Sequence, residues 1–237
     1  FDAARIAQFV SGNTSFTTAQ TTVSDVSATG GVSSFDAALI ARFVAALGSP
    51  TGNTGSWIFN PTSRDYPSVT TSIPNEDYAA LLMGEVSGNW VNGGSRQLAV
   101  GIGQQSIFVD LPNMATSVDK EIILPVSVQG VANTGIISYE FDLRYDPSVI
   151  MPQTEPIDIA GTVSRGLFVV VNTDQPGLLR VVMYGAMPID ENGVLLNLRF
   201  NDVGAPGSIS PLIWERLIFN EGETAAAVTD GQIEISY

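Results

Sequence analysis

From about Gln105 to the end of the chain, apolar residues recur with a period of two. Candidate strands fall at 106–111, 121–129, 136–145, 166–171, 177–184, 193–201, 210–219 and 231–236. They are short, are bounded by Gly, Pro, Asn or Asp, and have no helical pattern between them. Spacing of this kind predicts an antiparallel sandwich with jelly-roll or Greek-key connections. In the third candidate, Ile137, Tyr139, Phe141, Leu143 and Tyr145 alternate with Ser138, Glu140, Asp142 and Arg144. That predicts one buried face and one wet face. Residues 167–171 and 178–183 are apolar on both faces, so those strands should be central in a sheet or covered from outside.

The first part of the chain follows a different rule. Residues 25–36 have the spacing of a calcium loop that opens a helix. Asp25, Ser27 and Thr29 place side-chain oxygens at alternate positions, Gly30 stands sixth where the loop must turn, and the Gly31 carbonyl stands seventh. Asp36 stands twelfth and would close the coordination sphere, with the Ser33 hydroxyl at position nine. An oxygen-only donor set suits a hard cation, and with two carboxylates the site should be weak. The competing expectation is a loop kept for its turn, with Ser27 and Thr29 bonding backbone.

The helix expected at 34–47 carries an apolar stripe of Phe35, Leu39, Ile40, Phe43 and Leu47. Its opposite side is alanine (Ala37, Ala38, Ala41, Ala45), with only Asp36 and Arg42 charged. A helix apolar nearly all round should be covered on two sides. Gly48, followed by Pro50, is the expected stop.

Residues 1–10 and 35–44 read F-D-A-A-R-I-A-Q-F-V and F-D-A-A-L-I-A-R-F-V, identical at eight of ten positions with an offset of 34. Such duplicated loop-helix units resemble the type I dockerin repeat, whose members are paired calcium-loop-helix modules that plug into cohesin domains. Two departures stand out: Ser27 and Thr29 replace the usual Asn or Asp, and the first copy begins at its eleventh loop residue, Phe1. The chain thus starts inside a motif, as expected of a fragment, a processed form or part of something longer. By match to the family, Ser34, Phe35 and Arg42 are expected to contact a partner, with Phe1 and Gln8 in the first copy; Ala38, Ala41 and Ala45 share the Arg42 side. Phe35 is equally a core candidate. Asp2, without its loop, reads as a cap or a solvated acid.

Between the halves, residues 75–83 resemble a short helix, and Trp57, Phe59, Tyr66, Tyr78, Leu81, Leu82 and Trp90 could form a small aromatic core. Glu85-Val86-Ser87-Gly88-Asn89 resembles the opening of another calcium loop. It runs into Trp90 and Val91 without the glycine or the closing Asp, so a plain turn is the simpler reading. Residues 92–105 read as a Gly-rich hinge. The expected organisation is a mainly β chain: a dockerin-like helical module at 1–91, the hinge, and a sandwich at 106–237.

The second half resembles a cohesin domain. The resemblance is carried by Tyr145-Asp146-Pro147-Ser148-Val149, by 193–200 (G-V-L-L-N-L-R-F) and by 217–222 (L-I-F-N-E-G). Carbohydrate-binding modules share that fold, so the resemblance fixes fold better than ligand.

Composition narrows function. The chain has no cysteine and no histidine, which excludes disulfide scaffolds, thiolate metal sites and Ser-His-Asp or Cys-His catalysis. Its net charge is −14, from 24 acids and 10 bases, which repels nucleic acid and anionic membranes. No apolar run reaches the ~20 residues of a membrane span. Asp190 with Glu191 and Glu221 with Glu223 are neighbouring acids, better read as solvated loop residues than as a facing glycosidase pair. The expectation is a non-catalytic, secreted or cell-surface assembly protein that joins copies or cohesin- and dockerin-bearing partners, with head-to-tail docking favoured over a closed monomer. The alternative is a carbohydrate-binding module of a polysaccharide-degrading system, with Trp214 and Tyr184 as candidate sugar-stacking rings.

Overall fold

The two periodicities fold into two different layers. The computed structural model describes residues 1–74, 76–88, 107–118, 120–222 and 226–236. Three helices come first: α1 (Asp2–Val10), α2 (Thr18–Ser24) and α3 (Ser34–Val44). A hairpin of β1 (Trp57–Asn60) and β2 (Ala79–Leu82) follows. The remaining strands are β3 (Ile107–Asp110), β4 (Asn113–Ser117), β5 (Glu121–Gln129), β6 (Ile136–Arg144), β7 (Ile150–Asp158) and β8 (Phe168–Asn172). They continue with β9 (Leu178–Ile189), β10 (Gly193–Asp202), β11 (Ile209–Phe219), β12 (Ala226–Thr229) and β13 (Gly231–Ser236).

These strands form a five-stranded sheet, β12-β3-β5-β10-β7, and a six-stranded sheet, β4-β13-β11-β6-β9-β8. Between them lies one apolar core, which includes Tyr139, Phe141, Leu124, Leu198 and Phe200, all within 1% of full burial. Trp214 meets Phe141 edge-on at 5.2 Å inside it. The chain is mainly β with a small helical N-terminal part, as its periodicity predicts. Most pairings are antiparallel, but β12 pairs with β3 and β13 with β4 in parallel, so the sheets are mixed.

Several elements differ from expectation. Strand β7 carries Pro152 and Pro156, which argue against a strand interior. It lies at a sheet edge, where a missing N–H is tolerated. Strand β8 is an edge strand rather than a central one; its apolar outer face is covered instead, through Val170. Residues 79–82 form strand β2 where a helix was expected, because they pair with 57–60 across the hairpin; Asn75 lies outside the described residues. The proposed aromatic core does not form: Trp57, Phe59, Tyr66 and Tyr78 are all at least 40% exposed. Arg64 stacks over Tyr78 at 5.3 Å and pairs with Glu76. Trp90 and the hinge at 92–105 lie outside the described residues.

Helix α3 stops at Val44, before Gly48. Ala46 takes the left-handed conformation (φ 55°). Its N–H donates to Phe43 O at 3.0 Å, and Leu47 N–H donates to Arg42 O at 3.1 Å. This is a complete Schellman stop with alanine where glycine is usual.

Candidate docking interface between helices and sheet

The first half of the β6 face that reads as polar is not wet, although Arg144 at its end is exposed. Ser138 and Glu140 are 0% and 2% exposed, because α1 and α3 lie across the outer face of β6, β9 and β8. Ile137, Val182 and Tyr184 on the sheet share a buried cluster with Ala3, Ile6, Ala7, Ala37, Ala38, Leu39 and Ile40 on the helices. This accounts for the composition of α3. Its first three turns are covered by α1 on one side and by the sheet on the other, and alanine lets the helix approach closely. Tyr184 stacks on Phe168 at 5.4 Å and is buried under the helices; Trp214 lies in the inner core. Neither ring is presented to a sugar.

A local irregularity builds the polar part of the contact. The β6–β9 register shifts between Ile136 and Ser138. The Asn220 side chain fills the gap, its Oδ1 accepting the Ile137 and Ser138 amides at 3.0 and 3.3 Å. Asn220 itself has φ 50°, a conformation that Asn tolerates better than most residues. The turn it makes brings Glu221 to the start of α3. Glu221 Oε1 accepts the Ser33 hydroxyl at 2.5 Å and Oε2 accepts the Thr29 hydroxyl at 3.2 Å. Beside it, Glu140 Oε2 accepts the Ser34 amide at 2.8 Å, and its other oxygen accepts Arg216. Two carboxylates of the sandwich therefore face the N-terminus of α3. There they satisfy an orphan N–H and oppose the positive end of the helix dipole.

Ser34, Ala38 and Arg42 are spaced by four and share one side of α3. Arg42 closes that side, donating from Nη1 to Ala186 O at 2.7 Å and from Nε to Pro50 O at 3.1 Å. At the far end, Asn13 Nδ2 donates to Val171 O and Asn172 Nδ2 donates to Ser11 O, both at 3.0 Å. Of the contact candidates from sequence, Ser34 and Ala38 are fully buried, Phe35, Ala41 and Arg42 are partly buried, and Ala45 is exposed, one residue past the helix. Ala45 thus takes no part in this contact within the chain. Phe1 and Gln8 are also exposed. Glu140, Arg216, Asn220 and Glu221 escape sequence reading. Glu140 looks solvated by alternation and Glu221 reads as a solvated loop acid, yet Glu221 is partly buried and accepts two hydroxyls; Arg216, Asn220 and Glu221 belong to a strand end and turn whose aim depends on the tertiary fold. Glu223 lies outside the described residues.

The Asp25 loop sits at the edge of this contact. Asp25 Oδ1 accepts Thr29 N–H at 3.1 Å and the Ser27 hydroxyl at 3.2 Å, and Oδ2 accepts Gly30 N–H at 2.9 Å. Gly30 turns with φ 93°. Asp36 caps α3: its oxygens accept Ser27 and Ser33 amides, each at 2.9 Å. Burial pushes the Asp36 carboxyl up to about 6, against the pull of those amides and with the Glu221 charge adding to the rise. Burial also raises Glu221 above the usual carboxylate range, against the hydroxyls of Ser33 and Thr29.

The loop's donors are all oxygens, the type a hard divalent cation takes, and in the described structure both oxygens of Asp25 and both of Asp36 accept backbone amides. Ser27 and Thr29 hydroxyls meet at 3.2 Å beside Asp25, so the alternate oxygens converge on one side of the loop. Among the described residues no three acids are placed to hold a metal ion together, so such an ion would rest on hydroxyl and carbonyl oxygens as much as on charge. No described helix is long and apolar enough to cross a membrane.

The Cohesin domain family model matches residues 107–235. No curated protein matches the chain. Among solved structures, it is similar to a non-cellulosomal cohesin from the archaeon Archaeoglobus fulgidus, with 15% identity and a TM-score of 0.47, covering 56% of this chain and 93% of that one. It is also similar to the seventh ScaB type I cohesin of Pseudobacteroides cellulosolvens (20% identity, TM-score 0.46, covering 56% and 94%). A third likeness is to a chain of the Coh-OlpA–Doc918 type I cohesin–dockerin complex from Clostridium thermocellum (19% identity, TM-score 0.46, covering 55% and 99%). The family model spans more than half of the sequence: the chain belongs to the cohesin family, whose domains are non-catalytic modules for protein–protein scaffolding.

Proposed function

We propose that this chain is an extracellular assembly module whose cohesin sheet engages a dockerin-like helical unit. One observation carries the reading: the outer face of β6, β9 and β8 is closed by α1 and α3, with Glu140 and Glu221 set against the start of α3. In the described structure the helical unit is the chain's own. The same contact, exchanged between copies, joins them head to tail, and repetition of such a heterologous contact gives a filament or array. Calcium belongs to this proposal. Asp25, Ser27, Thr29, the Gly31 carbonyl and Asp36 would hold it, and it would stiffen the loop that sets the start of α3. A secreted or cell-surface location fits a cysteine-free, acidic chain with a single lysine, Lys120.

Light scattering across a concentration series tests this. Species heavier than the 25.0 kDa chain should grow with concentration, and more so in calcium than in chelator. A mass fixed at one chain at every concentration, calcium present, would contradict exchange between copies.

A further inference from the structure

Aromatic rings that neither the helices nor the sandwich bury gather on the β1–β2 hairpin. Among the described residues, every exposed Trp or Tyr lies there: Trp57, Tyr66 and Tyr78, joined by Phe59. Tyr139, Tyr145, Tyr184 and Trp214 are all buried. The hairpin has two faces. Ile58 and Leu81 are cross-strand partners and pack against the buried cluster of the helical unit. Trp57 and Phe59 alternate with Ile58 along β1, so they project from the opposite face. Phe59 has only Ala80 across from it, and a methyl group cannot cover its ring.

The connection between the two strands, residues 61–78, is far longer than the ~2–5 residues usual in a hairpin, and long connections are usually functional. Its two arms are clamped together. Glu76 Oε2 accepts both the Tyr66 hydroxyl and Arg64 Nη1, Arg64 Nη2 donates to Asp77 O at 2.7 Å, and the guanidinium lies over the Tyr78 ring. Tyr66 and Tyr78 are thereby fixed at the surface, so a ligand that stacks on them has little left to order.

The groups between the rings select the ligand. Arg64 is already paired with Glu76, and Asp65, Asp77 and the net charge of −14 oppose an anion. An ion pair set among the rings is unlike the core of a protein interface, which is depleted of charge. Hydrogen-bonding capacity remains: among the described residues, Glu76 Oε1 and the Tyr78 hydroxyl make no hydrogen bond. The matching ligand is uncharged, offers flat C–H faces to the rings and carries hydroxyls at its rim. A pyranose has all three properties, and a β-1,4-linked chain of pyranoses is a flat ribbon that lies along an open surface. We propose that the outward face of the β1–β2 hairpin binds a neutral β-1,4-linked polysaccharide, with Trp57, Phe59, Tyr66 and Tyr78 as stacking rings and Glu76 as an acceptor for its hydroxyls. None of these residues belongs to the contact between helices and sheet, so this site is independent of exchange between copies.

Native-gel affinity electrophoresis of the full chain tests the site, with hydroxyethylcellulose, xylan or galactomannan cast into the gel. At least one of these neutral polymers should retard the wild type. Phe59→Ala and Tyr78→Ala should each bind it at least about fivefold more weakly. Phe108→Ala, which removes an exposed ring of the sandwich, should match the wild type. Should Phe59→Ala loosen the hairpin, Phe59→Trp decides: retained retardation supports the site and lost retardation contradicts it. Wild type that migrates alike with and without all three polymers would overturn the inference, as would equal retardation of the wild type and the two alanine variants. Loss of self-association in Phe59→Ala by light scattering, with no retardation of the wild type by any polymer, would make this face a contact between copies and overturn the inference as well.

Discussion

Asp36 is fully buried yet accepts two backbone amides, and its neighbourhood includes Glu221. Burial wins over the amides and raises its carboxyl to about 6, from an ordinary 3.8. A raised acid binds its proton more tightly in the folded chain than in the unfolded one. The resulting stability is complete below the unfolded value and is lost as pH climbs through 6. Lowering pH from 7 to 5 should therefore raise the unfolding free energy through this group by about 1 kcal/mol. Denaturant titrations of the wild type and of Asp36→Asn at both pH values isolate it: the wild type should gain more on acidification. Equal gains would remove Asp36 from the account. The calcium spacing is legible in sequence; the burial that shifts Asp36 is not, because it depends on a sheet more than 100 residues away, with Glu140 the near partner of Ser34.

Helix α3 shows how much an element declares about itself. Its double-sided apolar surface requires two covers, and the fold provides α1 and the sheet. Its end was less legible: Gly48 and Pro50 signal a stop, but the chain turns two residues earlier, at Ala46. A left-handed alanine costs about 1–2 kcal/mol, part of which glycine returns as chain entropy. Ala46→Gly should stabilise by about 0.5–1 kcal/mol, visible as a melting-temperature rise of ~1–4 °C; a drop would mean that the stop is set elsewhere. Strand β7 teaches the converse. Pro152 and Pro156 conceal an edge strand, because a periodicity rule does not know which strands will lie outermost. In β6 the alternation is real, but it assigns a face to water that another element covers.

The molecule as a whole pairs a cohesin sandwich with a helical unit seated on its outer sheet. The sandwich half was legible because alternation, turn residues and the Y-D-P-S-V turn all point one way; Asp146 fixes that turn by accepting the Ser148 amide and hydroxyl at 2.8 and 2.6 Å. Which surfaces meet was not legible, since Glu140 and Glu221 take their roles only once two distant parts of the chain are in contact. The central claim is that this contact is specific and exchangeable, and complementation between two variants tests it most directly. Val182→Arg spoils the sheet face and leaves the helical unit intact; Ala38→Arg spoils the helix face and leaves the sheet intact. Light scattering of each variant alone should give a single chain, and their equimolar mixture should give a 1:1 pair, the intact sheet of one holding the intact helices of the other. A mixture that stays at the mass of one chain would contradict the account.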